Sequence, residues 1–521
     1  MTPIKRALRR GFEPAERLFD HWFSPTWNPF YHLGALGFFY YWIVAVSGIY
    51  LYVFFDTGTT EAYESIEALT VDQWYLGGVM RSLHRYASDG LVLMIGVHML
   101  REFSLDRYRG VRWFTWFTGV PIVWLVVICG ITGYWLVWDK LAQYIAVATT
   151  ELLDTLPIFG EPIARNFLSS ASLDDRFFTL MMFMHIAVPL FLLFVLWIHL
   201  QRVTKPRIHP PRGLAAGTFA MMLVLSFVFP AVSQGPADLD AVPANIGLDW
   251  FYLWGYPLID RWSGGTWAFA AVVTLLVAAL PWMPSMRRAR PAVVHLDNCN
   301  GCSRCADDCP YAAISMEPRS DGLPFEREAV VNPKLCVSCG LCAGACPTAM
   351  PFRRRSALIP GIELADFPVA ELRARLLERS AALSSQPRIL VVGCAYGNNV
   401  ESLAREDTAA IRLPCIGALP PSFIDFALSR NLAEGVLLTG CGEAHCFNRF
   451  GIEWTKRRLA GTRDPHLRAR MPRDRLALCW AGPAERQRLA RELEAFRSRL
   501  KALEPVKPGA AISRQKVLSD A

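Results

Sequence analysis

Long apolar runs dominate the first 286 residues and give way to short ones afterwards. A helix needs ~20 apolar residues to cross the hydrocarbon core of a bilayer. Runs of that kind cover 31–55, 113–138, 177–201, 214–237 and 262–286. A sixth run, 76–100, is weaker, because Arg81, Arg85 and Asp89 interrupt its first half. Loop charge decides in its favour. With six spans, the segments 1–30, 101–112, 202–212 and 287–290 carry 5, 4, 4 and 3 basic residues, whereas 56–75, 139–176 and 235–261 carry 0, 3 and 1. That alternation places both termini on the cytoplasmic side of a prokaryotic inner membrane, and five spans would destroy it. The first run is too long for a signal peptide and has no small-residue cleavage site. Residues 4–23 read as an amphipathic interfacial helix, or as a plain exposed leader.

Composition separates the two halves. Of the 17 Trp, 15 precede residue 285, and of the 14 Cys, 13 follow residue 298. Mean hydropathy is +0.24 and only 19% of residues are charged, with a net charge of +8. A globular average is about 25% charged, so a disordered, fibrous or wholly water-soluble chain is excluded. The excess of positive charge lies in the loops above. It reports membrane topology rather than nucleic acid.

Four of the ten His lie deep in the apolar runs: His84, His98, His185 and His199. An ionisable group there is a functional candidate by default. Each pair is separated by 14 residues, close to four helical turns, so its members share one face about 21 Å apart. The second and fourth spans run in the same direction. His84 therefore matches His185 near the outer side, and His98 matches His199 near the cytoplasmic side. Each match would clamp one haem iron, and two imidazole ligands suit electron transfer. Gly34 and Gly48 in the first span, and Gly119 and Gly133 in the third, repeat the same spacing. Glycine lets a flat macrocycle edge approach a backbone. Ordinary small-residue helix packing is the alternative.

Together with Arg81-Ser-Leu-His84-Arg85, Thr132-Gly-Tyr-Trp-Leu-Val-Trp-Asp139 and Leu156-Pro-Ile-Phe-Gly160, these pairs make residues 1–284 resemble cytochrome b of quinol-oxidising bc1 and b6f complexes. The first four spans look nearer the b6f type. The resemblance implies two haem b groups, Arg81 helping to hold a propionate, quinone or quinol as substrate, and a homodimer of the cytochrome b part. His32 stands where the b6f protein has a haem-tethering cysteine, so no covalent third haem is implied. The family closes its outer quinol site with Pro-Glu-Trp-Tyr. Here Pro243-Ala-Asn-Ile-Gly-Leu248-Asp249-Trp250-Phe251-Tyr252 looks like a degenerate copy. Asp249 would replace the glutamate as proton acceptor, or it merely caps a helix beside interfacial aromatics. The family has eight helices, so the later part is truncated.

Residues 299–309 read Cys-x2-Cys-x2-Cys-x3-Cys-Pro, and 336–346 repeat the run. In this bacterial two-cluster ferredoxin pattern the fourth Cys serves the other cluster. One 4Fe-4S cluster would use Cys299, Cys302, Cys305 and Cys346, and the other Cys336, Cys339, Cys342 and Cys309. Zinc leaves this rhythm unexplained, and disulfides are disfavoured in a reducing compartment. Residues 363–383 read as a linker helix. Beyond it, 388–393, 410–414, 435–440 and 475–478 read as strands of a small parallel sheet. Cys394, Cys415, Cys441 and Cys446 follow strand ends, where open α/β sheets place their sites, and would hold one 2Fe-2S cluster. Buried inert thiols are the alternative. Gly393-Cys-Ala-Tyr-Gly397, Pro414-Cys-Ile-Gly417 and Gly440-Cys-Gly-Glu-Ala-His-Cys446 resemble the delta subunit that links methyl-viologen-type hydrogenase to heterodisulfide reductase. That family usually has one more Cys just upstream, where this chain has Leu390 and Val391. Cys479 is a reserve ligand, and Cys129 reads as packing.

The expected fold class is therefore multidomain. A leader (1–30) precedes an all-α transmembrane haem-binding four-helix bundle (31–204) and two further spans (205–286). An α+β ferredoxin-like domain (291–355), a linker (356–385), a small α/β parallel-sheet domain (386–504) and a disordered tail (505–521) follow. No nucleotide-binding glycine fingerprint, flavin motif, nucleophile triad or phosphate loop stands out. The expected function is a membrane electron-transfer subunit, the quinone-reactive subunit of a multi-subunit oxidoreductase. It would relay electrons between the quinone/quinol pool and cytoplasmic redox subunits: a flavoprotein, a hydrogenase or a heterodisulfide-reductase-like enzyme. The expected partners also include membrane lipid but no nucleic acid. The runner-up is quinol-driven or bifurcating reduction of a low-potential acceptor. A redox sensor or cluster scaffold without turnover is the alternative of another class.

Overall fold

The computed structural model describes residues 3–503 apart from 157, 159–160, 168–172, 174, 202, 204–205, 244, 250, 284–288, 353–357, 444–445 and 484. The expected tail at 505–521, Trp250, and parts of the Leu156–Gly160 and Gly440–Cys446 motifs thus lie outside the described residues. The chain divides into two compact units, Met1–Pro284 and Ser285–Ala521.

The first unit is helical. In chain order it contains α1 (Pro3–Trp27), α2 (Leu33–Phe54), α3 (Glu61–Val71), α4 (Val79–Ser104), α5 (Trp113–Val137), α6 (Lys140–Asp154), α7 (Asp175–Leu200), α8 (Arg212–Val228), α9 (Tyr256–Arg261) and α10 (Ser263–Ala279). α2 packs along α4, and α5 along α7. Four stretches are long and apolar enough to cross a membrane: Leu33–Phe54, Trp113–Val137, Asp175–Leu200 and Ser263–Trp282. Helices apolar all round belong in a membrane or a core. α4 matches α7 in length, at 26 residues, but its charges keep it out of that class.

The run expected at 214–237 needs correcting. α8 has 17 residues and ends at Val228, so the helix is shorter than the expected run and stands at the lower end of the ~17–25 residues that can cross a bilayer. Phe229 leaves the helix at φ −131° and ψ 74°, because Pro230 disfavours helical geometry in the residue before it. The chain that follows is bound to polar groups instead. Ala231 N donates to Ser82 Oγ (2.9 Å) and Gln234 N to Asp139 Oδ2 (2.9 Å). Asp139 also caps α6, accepting from Ala142 N at 2.9 Å. Trp138, just before it, terminates α5 in the left-handed region at φ 50°.

The second unit begins with β1 (Ala292–Val294), α11 (Arg304–Asp308), the hairpin β2 (Ile314–Pro318) and β3 (Arg327–Val331), and α12 (Leu341–Ala345). The expected linker is not one. Its residues Ile362–Leu364 form β4, which pairs antiparallel with β1 so that Ala292 faces Leu364. Next, α13 (Val369–Ala381) places Val369, Leu372, Leu376 and Leu377 in a core extending from Ala292 to Trp480. The helix was readable from its amphipathic period, but the same period suits a packed helix.

Four strands complete the unit: β5 (Ile389–Cys394), β6 (Thr408–Leu413), β7 (Gly435–Thr439) and β8 (Leu476–Cys479), all parallel in the order β6-β5-β7-β8. The helices are α14 (Pro421–Ser429), α15 (Gly451–Ala460) and α16 (Arg486–Ala502). β5 and β7 are buried throughout, as central strands of a parallel sheet covered on both faces must be.

Candidate functional site

In the first unit the sequence-expected histidines meet in pairs. The His84 and His185 rings lie 6.2 Å apart between centroids, and His199 is within electrostatic reach of His98. Each ring also faces one expected glycine. A Cβ on Gly48 would sit 3.0 Å from His84 Cε1, and one on Gly133 would sit 2.8 Å from His185 Cε1. At Gly34 it would be 3.5 Å from His98 Cε1, and at Gly119 3.6 Å from His199 Cε1. The glycines of α2 and α5 therefore leave room over the imidazoles of α4 and α7.

Three hydroxyls that the sequence reading passed over orient these rings. Thr118 Oγ1 lies 3.0 Å from His199 Nδ1, Thr132 Oγ1 3.1 Å from His185 Nδ1, and Ser47 Oγ 3.2 Å from His84 Nδ1. Each hydroxyl gives its own proton to a carbonyl of its helix: Phe114 O, Ile128 O and Ile43 O respectively. The oxygen is then an acceptor, so Nδ1 must donate. Val44 O, 3.0 Å from His84 Nδ1, requires the same tautomer. Nε2 keeps its lone pair, as a metal-ligating imidazole with a partner on its other nitrogen does. The donor set thus fits haem, which the paired histidines would hold, and such a group would supply one-electron chemistry. The signal was in the sequence: Ser47, Thr118 and Thr132 each immediately precede one of the expected glycines.

Arg81 sits one turn before His84. It is buried, with Nη2 donating to Ser233 Oγ at 2.7 Å and Nη1 to Glu67 Oε1 at 3.2 Å and to Thr70 Oγ1. Asp249 combines features of both of its readings. Its Oδ1 accepts from Phe251 N (3.0 Å) and Tyr252 N (3.3 Å), which makes it a turn cap. Its Oδ2 accepts from Tyr134 OH at 2.6 Å and pairs with Arg85, which also holds Asp89 at 2.6 Å.

In the second unit, eight thiols line two cavities. One is bordered by Cys299, Cys302, Cys305 and Cys346. The other is bordered by Cys309, Cys336, Cys339 and Cys342. The last Cys of each run borders the cavity of the other run. Burial pushes the Cys305 and Cys339 thiols up to about 12, so only a cationic centre would keep such groups as thiolates near neutral pH. Among the described residues no three His, Cys, Asp or Glu side chains are placed to ligate one metal ion. Cavities ringed by four thiols fit iron–sulfur clusters better than a single zinc.

Cys394 ends β5, Cys415 follows β6, Cys441 follows β7, and Cys446 lies in the next loop. All four are buried. Hydrogen bonding with Cys415 and Cys441 pushes the Cys394 thiol down to about 4. The same contacts, those with Cys446 and burial push Cys415 and Cys441 up. Four buried thiols that interact with one another are a donor set for a cluster rather than for a single ion. A side chain at Gly451 would run into Cys415 Sγ. The Tyr396 and Phe447 rings, each near one of the cysteines in sequence, stack at 3.5 Å and 7°. Cys479 is not part of this group. It packs with Val391, Leu437 and Phe496 in a separate apolar cluster.

Two predictions follow from this geometry. Gly133→Leu drives a side chain into the His185 ring, so pyridine haemochrome assay should fall from two haems per chain to about one. An unchanged value would refute the cradle. Cys394→Ser should leave haem and the iron of the two cavities intact while lowering total iron, as measured by metal analysis. Iron equal to that of the parent would remove Cys394 from the ligand set.

Residues 18–206 match the family model for cytochrome b/b6/petB. Residues 298–350 match that for the 4Fe-4S dicluster domain, and 395–504 that for the delta subunit of methyl-viologen-reducing hydrogenase. A solved structure described as hyperthermophilic respiratory Complex III is similar at 20% identity and a TM-score of 0.40, over 49% of this chain and 76% of that one. The chain thus joins a cytochrome b segment, a 4Fe-4S dicluster segment and a hydrogenase delta-subunit segment, and is a membrane electron-transfer subunit.

Proposed function

We propose that the chain relays single electrons between the membrane quinone pool and a redox partner on the cytoplasmic side of a prokaryotic inner membrane. The observation that carries this reading is the presence in one chain of two glycine-cradled imidazole pairs and three four-thiol sets. In this proposal His84 and His185 hold the outer haem b, and His98 and His199 the inner one. The two cavities hold 4Fe-4S clusters, and Cys394, Cys415, Cys441 and Cys446 hold a 2Fe-2S cluster. Quinone is the substrate, with Asp249 as proton acceptor once its pair with Arg85 opens. Arg81, paired with Glu67 here, would help to hold a haem propionate. The partner is a flavoprotein, hydrogenase or heterodisulfide-reductase-like subunit, a reading supported by the delta-subunit match of residues 395–504, and the cytochrome b part pairs with a second copy.

Topology links the parts. The basic loops argue for cytoplasmic termini, and in this proposal His98 and His199 lie toward that same side. The outer pair is about 21 Å further along the helices. The inner haem is therefore the membrane centre that serves the cysteine-rich half.

Protease added to sealed right-side-out vesicles should leave residues 290–503 intact, as read by fragment mass spectrometry. Cleavage there without lysis would reverse the topology. His199→Ala, with the outer haem retained, should abolish exchange between added quinone and the iron–sulfur EPR signals. Normal exchange in that variant would show that the electrons take another route.

A further inference from the structure

Asp308 directly precedes Cys309, and it is 2% exposed. Two guanidinium groups from the delta-subunit segment hold its carboxylate: Arg458, through Oδ2, and Arg463, whose Nε lies 2.6 Å from Oδ1. Arg458 is itself 1% exposed. Its Nη1 donates to Gly417 O at 2.9 Å, two residues beyond Cys415, and its Nη2 reaches Leu341 O at 3.4 Å, one residue before Cys342. One buried fork therefore touches the chain beside Cys309, Cys342 and Cys415.

Other contacts converge on the same place. Tyr311 OH donates to Asn448 Oδ1 at 3.0 Å, two residues from Cys309 and from Cys446 respectively. Leu341 is fully buried in one apolar cluster with Cys415, Phe450 and Trp454, against which Cys339 packs. Strand residues wall both cavities, Met316, Ala329 and Ile362 in the Cys299 set and Ile314, Val331 and Leu364 in the Cys309 set, but only the latter is also lined by Leu341, the residue that packs with Cys415. The two cavities are therefore not equivalent with respect to the quartet.

We propose that Arg458 is a positioning residue that fixes the Cys309, Cys336, Cys339 and Cys342 set against the Cys394, Cys415, Cys441 and Cys446 quartet, so that these two sets are the direct electron-exchanging neighbours and the Cys299 set lies one step further away. This rests on the relay reading above. One electron leaves the iron held by one set and enters the iron held by the other. No covalent bond changes and no proton is needed. Arginine suits the task because its planar fork serves a carboxylate and two carbonyls in one fixed geometry, which a lysine ammonium does not.

The test is low-temperature EPR of the purified full chain, fully reduced with dithionite. The quartet signal should be split by its neighbour in the parent and in Cys302→Ser, and unsplit in Cys339→Ser. Arg458→Lys, with iron content unchanged, should lose the splitting while each signal keeps its own g values. If Arg458→Lys fails to fold, Arg463→Gln, which removes the more exposed partner of the same carboxylate, should show a partial loss. The proposal is overturned if the parent shows no splitting or if a folded, iron-replete Arg458→Lys or Arg463→Gln keeps it in full. It is equally overturned if Cys302→Ser loses it while Cys339→Ser retains it. Dithionite reduces the centres without quinone. A parent that exchanges no electrons with quinone would therefore defeat the relay reading alone, and the splitting would still decide this proposal.

Discussion

A polar ring nitrogen buried in an apolar helix bundle must find a partner, because leaving it without one costs ~1–3 kcal/mol. The first unit meets this constraint with hydroxyls that have already spent their protons. Ser47, Thr118 and Thr132 each donate to a carbonyl of their own helix and turn an acceptor toward an imidazole. That fixes the tautomer and aims Nε2 away from the helix that supplies the hydroxyl. The glycine next to each hydroxyl removes the side chain that would otherwise fill the space over the ring. Ring orientation and haem room thus come from the same dipeptide, repeated where the helical period brings it back to the same face.

The second unit solves a different problem with the same economy of residues. Thiolates buried together would repel one another, and at the sheet end hydrogen bonding among the thiols holds Cys394 down while hydrogen bonding and burial hold Cys415 and Cys441 up. A bound cationic centre relieves that repulsion, so folding and cofactor assembly are coupled there. The dicluster and sheet segments share one apolar core from Ala292 to Trp480, and the buried Arg458–Asp308 pair pins them together. Removing one partner of such a pair leaves an uncompensated charge, which is costly.

Much of this was legible in the sequence where a spacing maps directly onto a period. Fourteen residues on a helix return to the same face, so the facing of His84 with His185 and of His98 with His199 could be read from four positions. The two cysteine runs and the strand-end cysteines were readable for the same reason. The end of α8 was not, because the apolar run continues past Pro230 while the helix cannot. The packing of α13 was hidden because an amphipathic helix looks the same whether it links two domains or lies in their common core. Contacts such as Arg458 with Asp308, 150 residues apart, or Arg85 with Asp249, 164 apart, leave no mark on local pattern at all. The hydroxyls beside the glycines were visible but unremarkable, since Ser and Thr are common in such helices.

The central claim is that one chain connects the quinone pool to thiol-bound iron. The most direct measurement starts from purified protein with all iron–sulfur centres reduced and no free reductant left. Quinone is added anaerobically, and the haem absorbance and the iron–sulfur EPR signals are followed in time. The account predicts that the iron–sulfur signals disappear after quinone addition, with the haem band passing through the same event. Iron–sulfur signals that persist beside oxidised haem, in protein with full iron content, would contradict it.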